Sequence, residues 1–257
     1  MALRYLTQDK RKETKAERAN FERSIKVERD FARQLRSVAA KVGSIIDGFD
    51  PNDYDDMRAA ELLLTEYSKL IKPWATAVSR RMLTDVSRRD EKQWQKVSKS
   101  MGAEIRREIH RTNPTGRLLR SLLDEQVALI QSIPLDAAKR VHKYTLEGLE
   151  SGERAADIAE KIRRGGHVSK SRAMLIARTE VARTSSLLTE SRAKQIGSEG
   201  YIWRTSRDED VRRSHKKMEG KFVRWDDPPT LSDGTTTHAG QIYNCRCWPE
   251  PVIPDDI

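Results

Sequence analysis

The sequence predicts a mainly α-helical protein with a small α+β module at its C-terminus, and with long helices in the N-terminal two-thirds. Apolar residues recur at helical spacing through most of the first 200 residues, and alternating strand-like runs appear only after Gly200. Five of the nine prolines lie beyond residue 227. Charged residues make up 34% of the chain and hydrophobic residues 37%, which is typical of long helices with wide solvated faces.

We expect two parts from this pattern. Residues 1–168 form an extended α-helical region, and residues 169–257 form a separate module. Within the module, a helix at 169–197 precedes a loop-rich, β-containing tail at 200–257. Because the tail is short and has few apolar residues, it needs a staple or a surface to pack against.

The first predicted helix runs from about Thr14 to Ile46. Its apolar stripe follows alternating steps of four and three residues and is interrupted only by Glu28. The stripe consists of Phe21, Ile25, Ala32, Leu35, Ala39, Val42 and Ile46. Gly48 and Pro51 are expected to end the helix.

The acidic sequence DPNDYDD follows this helix. It lacks the glycine and the terminal glutamate of an EF-hand loop, so it does not predict a calcium site. Asn52 or Asp53 is instead expected to cap the next helix, because a short side-chain oxygen accepts bonds from the first free backbone N–H groups.

A second apolar stripe runs from Met57 to Val78, with Pro73 predicted to kink or split the helix. The helical pattern resumes through Trp94 to Ile109 and breaks at TNPTG. Further helices are predicted at about 116–132, 135–150, 153–164 and 169–197, separated by Pro134, Ser151-Gly152 and Gly165-Gly166.

The tail contains two short strand-like runs, YIWRTS and KFVRW, and the turn-rich stretch SDGTTTHAG. Trp203, Trp225 and Trp248 all fall within it and are predicted to form its aromatic core. A stacking platform for nucleic acid would need exposed aromatics among basic residues, whereas this segment is slightly acidic.

The net charge of +10 is unevenly distributed. Residues 201–257 contain nine Lys/Arg and ten Asp/Glu, so the balance is −1 there and +11 in residues 1–200. This excess suits an acidic partner such as double-stranded DNA, and it equally suits an ordinary solvated helix surface. With no apolar run near the roughly 20 residues of a membrane span and no signal-peptide core, we expect no membrane partner and synthesis in a reducing cytoplasm.

Four residues of the tail are candidate zinc ligands, because zinc prefers thiolate and imidazole donors. They are His215, His238, Cys245 and Cys247. Two other interpretations stay open for the cysteines: a Cys–His nucleophile, or small buried apolar residues on a short strand. The sequence contains no GxGxxG, GKS/T or HExxH motif, so no nucleotide-binding loop or zinc-protease helix is predicted.

The stretch IARTEVART is dense in charge. On a helix, Glu180 and Arg183 are three residues apart and can pair, while Ile176 and Val181 face inward. The alternative is that Arg178 or Glu180 reaches across to the C-terminal module.

IARTEVART, YIWRTSRDEDVRRSHKKMEGKFVRWDDPP and NCRCWPEP, taken together, resemble the phage Mu F-type minor head protein family, whose members are also described as phage head morphogenesis proteins. The resemblance covers about residues 170–252 and rests on four separated motifs in the right order. The matching positions are Arg178, Thr179 and Glu180 in the helix, Trp203 in the strand, Asp208, Arg212, Ser214, His215 and Gly220 in the middle segment, and Asn244, Cys245, Arg246 and Cys247 at the end.

Some relatives carry two cysteines, three residues apart, in the middle segment, and these would complete a four-thiol zinc site with the terminal pair. Here the two positions hold Arg212 and His215. The resemblance therefore does not imply a metal or another cofactor for this chain. It implies that NCRC has a role in folding. Asp208 and Arg212 are expected to hold the loop through charge-assisted hydrogen bonds, with each other or with neighbours.

The resemblance implies a non-enzymatic, low-copy virion component of a bacteriophage head. Its expected partners are the portal protein and the major capsid or scaffold protein, with host cytoplasm as the site of assembly. One alternative is a DNA-binding protein that acts in genome packaging or ejection through the basic helical region. The other is a hydrolase or toxin-like enzyme that uses His215 with Cys245 or Cys247.

Overall fold

A computed structural model describes residues 21–22, 24–50, 53–98 and 115–254. Within these residues six helices precede or interrupt one three-stranded antiparallel sheet, which confirms the predicted fold class. The helices are α1 (Ile25–Ile46), α2 (Tyr54–Leu70), α3 (Lys72–Ser98), α4 (Thr115–Ser151), α5 (Ala155–Gln195) and α6 (Arg213–Lys216). The strands are β1 (Gly200–Thr205), β2 (Phe222–Arg224) and β3 (Cys247–Pro251).

Two sequence predictions fall outside the described residues. They are the helical segment from Thr14 to residue 20 and the helical pattern that continues to Ile109. In the part of the chain that is described, no helix combines the length and apolar character needed to cross a membrane.

The described chain divides into two compact units. The helical unit comprises Glu28–Arg81 and Leu123–Arg178. Of the described residues, the mixed unit comprises 21–22, 24–27, 82–98, 115–122 and 179–254. The sheet lies in the mixed unit.

From Ala32 to Ile46 the apolar stripe of α1 is buried in the helical unit, as its periodicity predicts, whereas Ile25, the first stripe residue of α1, is 51% exposed. Leu35 and Val42 have no exposed surface. Glu28, which interrupts the stripe, accepts a bond from Arg178 Nε at 3.2 Å, so its charge is paired. Asp53 caps α2, with its Oδ1 accepting from the backbone N–H of Asp55 at 2.8 Å.

Pro73 splits the second stripe as predicted, since α2 ends at Leu70 and α3 begins at Lys72. Pro73 lies in the first turn of α3, where a backbone N–H has no helical partner to lose. The predicted break after Ser151 is also confirmed, because α4 ends there and Gly152 adopts a positive φ of 65°.

Two predicted breaks are wrong. α4 runs through Pro134, so the segments 116–132 and 135–150 are one helix. Ile133 and Ala137 beside the proline are buried, and such packing outweighs the cost of about 3 kcal/mol for a proline in a helix.

The second wrong break is at Gly165-Gly166. α5 is continuous through this pair, so the predicted helices 153–164 and 169–197 are one helix that ends at Gln195. Ser169 Oγ donates to the Gly165 carbonyl at 3.1 Å, and Arg140 Nη2 also reaches Ser169 Oγ at 3.1 Å. These side-chain bonds, together with the buried Ile162 and Ala173, stabilise the helix where its intrinsic propensity is weak.

β1 is the centre of the sheet, with β2 and β3 on either side. The two strand-like runs of the sequence correspond to β1 and β2. A short strand at the cysteines was only one of the open interpretations of the sequence, and β3 extends from Cys247 through Pro249 to Pro251. A proline donates no ladder hydrogen bond and is tolerated at a sheet edge, which is the position of β3. Gly200 is required at the start of β1, since a Cβ there would lie 2.3 Å from the carbonyl oxygen of Val223.

The tryptophans of the tail are buried in the core of the mixed unit, as predicted. Trp203 is fully buried, and Trp225 packs on Tyr201 with ring centroids 4.5 Å apart. Trp94 of α3 joins the same cluster and has no exposed surface. The tail therefore completes its core with side chains from α3 and the end of α5, which is how so short a segment buries enough apolar surface.

A buried ion pair connects α3 to α5 within the mixed unit. Arg192 Nε lies 2.7 Å from Asp90 Oδ2, and the exposed fractions of the two side chains are 9% and 5%. The Thr189 hydroxyl lies 3.4 Å from the other carboxylate oxygen. Burial raises the pKa of Asp90 to about 6 in spite of the opposing effect of Arg192.

We expect Asp90 to make unfolding pH-dependent. Because its pKa is raised from 3.8 to about 6 in the folded state, the unfolded chain releases this proton first, and the free energy of unfolding falls as pH rises through that window. The wild type should lose about 3 kcal/mol relative to Asp90→Asn between about pH 4 and about pH 6. Urea denaturation across this range measures the difference. If the free energy of unfolding of the wild type relative to Asp90→Asn stays constant or rises with pH, the pairing with Arg192 outweighs desolvation.

Candidate functional site

The tail docks on one face of α5 through three hydrogen bonds. Thr179 Oγ1 accepts from the backbone N–H of Asn244 at 3.0 Å, and Ser186 Oγ donates to the Ala239 carbonyl at 2.7 Å. One turn further on, Glu190 Oε2 accepts from the side-chain amide of Gln241 at 3.0 Å. The three helix residues are seven and four positions apart, so they share one face of the helix.

The remaining residues of the helix motif serve α5 itself and its neighbours. Ile176 and Val181 are buried, as predicted. Glu180 Oε2 lies 3.6 Å from Arg183 Nη1, which is the local pair the spacing indicates. The ion pair that the structure gives Arg178 is with Glu28 of α1, in the helical unit.

Arg246, between the two cysteines, clamps the acidic loop of the middle segment. Its Nη1 lies 2.6 Å from Asp208 Oδ2, and its Nη2 lies 2.5 Å from Asp210 Oδ2. Burial alone would raise the pKa of Asp208, but the hydrogen bond from Arg246 lowers it below its ordinary value. Arg212 bonds elsewhere: its Nη2 donates to the Tyr243 carbonyl at 3.0 Å and its guanidinium lies 4.9 Å from the centroid of that ring. The sequence left open whether Asp208 and Arg212 bond to each other or to neighbouring residues, and the structure shows bonds to neighbouring residues.

Three motif residues shape the turns of the tail. Ser214 Oγ donates to Asp233 at 2.6 Å, and this bond lowers the pKa of Asp233 to about 2. Gly220 has a φ of 78°, a conformation that favours glycine, and its N–H donates to the Trp203 carbonyl at 2.8 Å. Asn244 also adopts the left-handed conformation, with a φ of 52°, so the chain turns sharply before the first cysteine.

His215, Cys245 and Cys247 meet in the interior of the tail. His215 Nδ1 lies 3.3 Å from Cys247 Sγ and 3.5 Å from Cys245 Sγ. The exposed fraction is 2% for His215, 1% for Cys245 and 4% for Cys247. The His215 ring also packs edge-on against Trp203, with centroids 5.5 Å apart. We call these three residues the His–Cys–Cys cluster.

The fourth zinc candidate does not join this cluster. His238 Nδ1 lies 3.1 Å from the hydroxyl of Tyr201, which in turn accepts from the backbone N–H of Ala239. Burial lowers the pKa of His238 and raises that of Tyr201, so both stay neutral near pH 7. His238 is a core residue with a hydrogen-bond partner.

The arrangement disfavours the nucleophile interpretation. A catalytic thiol must reach its substrate, whereas both thiols and the imidazole are buried. The hydrogen bond with Cys247 and the proximity of His215 lower the pKa of Cys245. The hydrogen bond with Cys245, together with burial, raises the pKa of Cys247. The interpretation that both cysteines are small buried residues on a short strand is correct only in part: both are buried, but β3 begins at Cys247 and Cys245 lies in the preceding turn.

Residues 139–249 match the family described as Phage Mu protein F like protein. The chain carries a Phage Mu F-like region. This region extends from α4 to the middle of β3 and contains the docking face of α5, the Arg246 clamp and the His–Cys–Cys cluster.

Three curated proteins are similar to parts of this chain. Minor head protein GP7 of Bacillus phage SPP1 is 26% identical over 164 residues, which are 60% of this chain and 50% of GP7. A Haemophilus influenzae protein described only as uncharacterized is 32% identical over 130 residues, 51% of this chain and 28% of that protein. The NAD(+)–arginine ADP-ribosyltransferase EFV of Enterococcus faecalis is 31% identical over 128 residues, 46% of this chain and 26% of that enzyme.

This chain thus spans half the length, or less, of the curated relatives it matches. No solved structure matches it.

Sequence reasoning missed three residues of the Phage Mu F-like region that fasten the tail to the helix. They are Ser186, Glu190 and Gln241. The signal available in the sequence was the spacing of Thr179, Ser186 and Glu190, which places polar groups on one helix face beside otherwise apolar neighbours.

Ser186→Ala tests the docking of the tail on α5. The substitution leaves the buried Ala239 carbonyl without its partner, so the free energy of unfolding should fall by about 1–3 kcal/mol. Ser37→Ala is a matched control, because the exposed Ser37 hydroxyl bonds only a carbonyl of its own helix, and it should change stability by less than about 0.5 kcal/mol. Urea denaturation of both variants measures the effect. Equal losses would contradict the docking role of Ser186.

Proposed function

We propose that this protein is a bacteriophage minor head protein, a virion component that takes part in head morphogenesis. The observation that supports this most strongly is the Phage Mu F-like region, joined with similarity to Minor head protein GP7 over 60% of this chain. During assembly it acts in the host cytoplasm, and afterwards it remains in the phage head in few copies.

Its proposed partners are the portal protein and the major capsid or scaffold protein. In support, α2 exposes large apolar side chains in the helical unit: Leu62 is 60% exposed, Leu63 45% and Leu70 75%. Grouped exposed apolar side chains favour association with another protein.

The protein is proposed to act without catalysis. One relative is named as an ADP-ribosyltransferase, but the similarity covers only 26% of that enzyme. In this chain His215, Cys245 and Cys247 are buried, and the ring of His215 packs against Trp203 of the tail's own core. Their chemistry is that of a folding element rather than a reaction centre.

Mass spectrometry of purified proheads and virions tests the proposal, using the phage that encodes this chain. We expect the protein in both particles, at far fewer copies than the major capsid protein. Leu62→Glu should reduce its incorporation, because it places a charge on the exposed apolar surface of α2. Ala77→Glu, at an exposed site of α3, should not. If the chain is missing from both kinds of particle, the proposal is wrong.

A second candidate function is DNA binding during packaging or ejection, and one observation favours it. Arg88, Lys92 and Lys96 are exposed on α3 at intervals of four residues, so they form a basic face about 12 Å long. This face contributes to the +11 balance of residues 1–200.

A gel shift of the full chain on double-stranded DNA at increasing salt tests this function. Replacement of Arg88, Lys92 and Lys96 by glutamate should weaken binding and flatten the salt dependence, since fewer counterions are released. The same three-charge reversal at the exposed Arg213, Lys216 and Lys217 of the tail is the control and should leave binding unchanged. Absence of any shift at low salt removes the candidate function.

A further inference from the structure

We infer that the His–Cys–Cys cluster is a zinc site with three protein ligands, which are His215 Nδ1, Cys245 Sγ and Cys247 Sγ. The ligand atoms all lie within 4.8 Å of one another. This inference concerns the folding of the tail and does not rest on the proposed function.

The first argument is the spacing of the three atoms. Zinc bonds are about 2.3 Å to thiolate sulfur and about 2.0 Å to imidazole nitrogen, so tetrahedral geometry puts sulfur and nitrogen ligands about 3.5 Å apart. The observed separations from His215 Nδ1 are 3.3 Å to Cys247 and 3.5 Å to Cys245. Both nitrogen–sulfur separations therefore match those of a zinc site, and the two sulfur atoms lie within 4.8 Å of each other.

The second argument is the number of hydrogen bonds that an imidazole nitrogen can make. Nδ1 of His215 either donates one proton or accepts one, yet two sulfur atoms lie within 3.5 Å of it. The other ring nitrogen, Nε2, is buried and has no hydrogen-bond partner among the described residues. A cation shared by Nδ1 and both thiolates satisfies the three converging atoms at once.

The third argument is the placement of the ligands in the chain. His215 belongs to the short helix α6, while Cys245 and Cys247 flank the start of β3, some 30 residues later. β3 pairs with β1, so one metal ion would fix α6 to the edge of the sheet. A tail this poor in apolar residues gains most from such a cross-link.

Among the described residues, no fourth histidine, cysteine or carboxylate joins the three ligands. In the proposed site a water molecule fills the fourth position of the tetrahedron. His215 supplies the ligand from this part of the tail. Arg212, three residues earlier, is positively charged and donates to the Tyr243 carbonyl, so it cannot bind a metal ion.

Titration of the metal-free full chain with Co²⁺ under reducing conditions tests the site. Cobalt reports thiolate ligands by charge-transfer absorption in the near ultraviolet and tetrahedral geometry by strong visible bands. We expect one equivalent to bind with both signatures, and one equivalent of Zn²⁺ to displace it. Chelation of the metal should lower the thermal midpoint of the chain.

Cys245→Ser and Cys247→Ser should each weaken Co²⁺ binding at least tenfold and reduce the charge-transfer band, and His215→Gln should shift the visible bands. His238→Gln is the matched control, because His238 lies outside the cluster, and it should keep the wild-type spectrum. Circular dichroism shows whether each variant remains helical.

Extended X-ray absorption fine structure of the zinc-loaded wild type should show two sulfur neighbours of the metal, and this measurement does not depend on whether the variants fold. Failure of the wild type to bind either metal, or a spectrum without thiolate bands, overturns the inference.

Discussion

The docking of the tail on α5 is the constraint on which the rest of the mixed unit depends. The tail has a three-stranded sheet whose strands are six, three and five residues long, and a sheet of this size is marginal in water by itself. Thr179, Ser186 and Glu190 hold the loop that leads into the cysteine segment. With that loop in place, Arg246 can reach the acidic loop, and β3 can pair with β1.

The ion pair between Asp90 and Arg192 extends the same arrangement to α3. Trp94, four residues further along α3, belongs to the same buried core as Trp203 and Trp225. The pair carries a desolvation cost, visible in the raised pKa of Asp90. Its role is therefore better described as fixing the register of α3 against α5 than as a source of stability.

Much of the fold could be predicted from the sequence because helical periodicity is a local signal. The stripe through Leu35 and Val42 and the cap at Asp53 needed no knowledge of distant residues. The breaks assigned to Pro134 and Gly165-Gly166 were wrong because the packing at Ile133 and the bond from Arg140 to Ser169 are tertiary contacts. The extent of β3 was not predicted for a related reason: whether a proline is tolerated in a strand depends on its place at a sheet edge.

The site was accessible to sequence reasoning only by residue type. The two cysteines and His215 could be named as candidate ligands, but their meeting depends on a turn at Asn244 and on the docking of the tail. His238 was equally plausible by type and lies against Tyr201 instead. The spacing of Thr179, Ser186 and Glu190 indicates a polar helix face, but it does not indicate which residues about 50 positions away, such as Ala239, bond to it.

Native-state hydrogen exchange of the full chain, read by mass spectrometry, tests the central claim that the tail is folded only while docked on α5. The account predicts that amides of β1 and β3 and those of α5 from Thr179 to Gln195 exchange through one shared opening, with equal free energies and equal dependence on denaturant. Exchange of the strands through a separate, lower-energy opening, while that part of α5 stays protected, would contradict it.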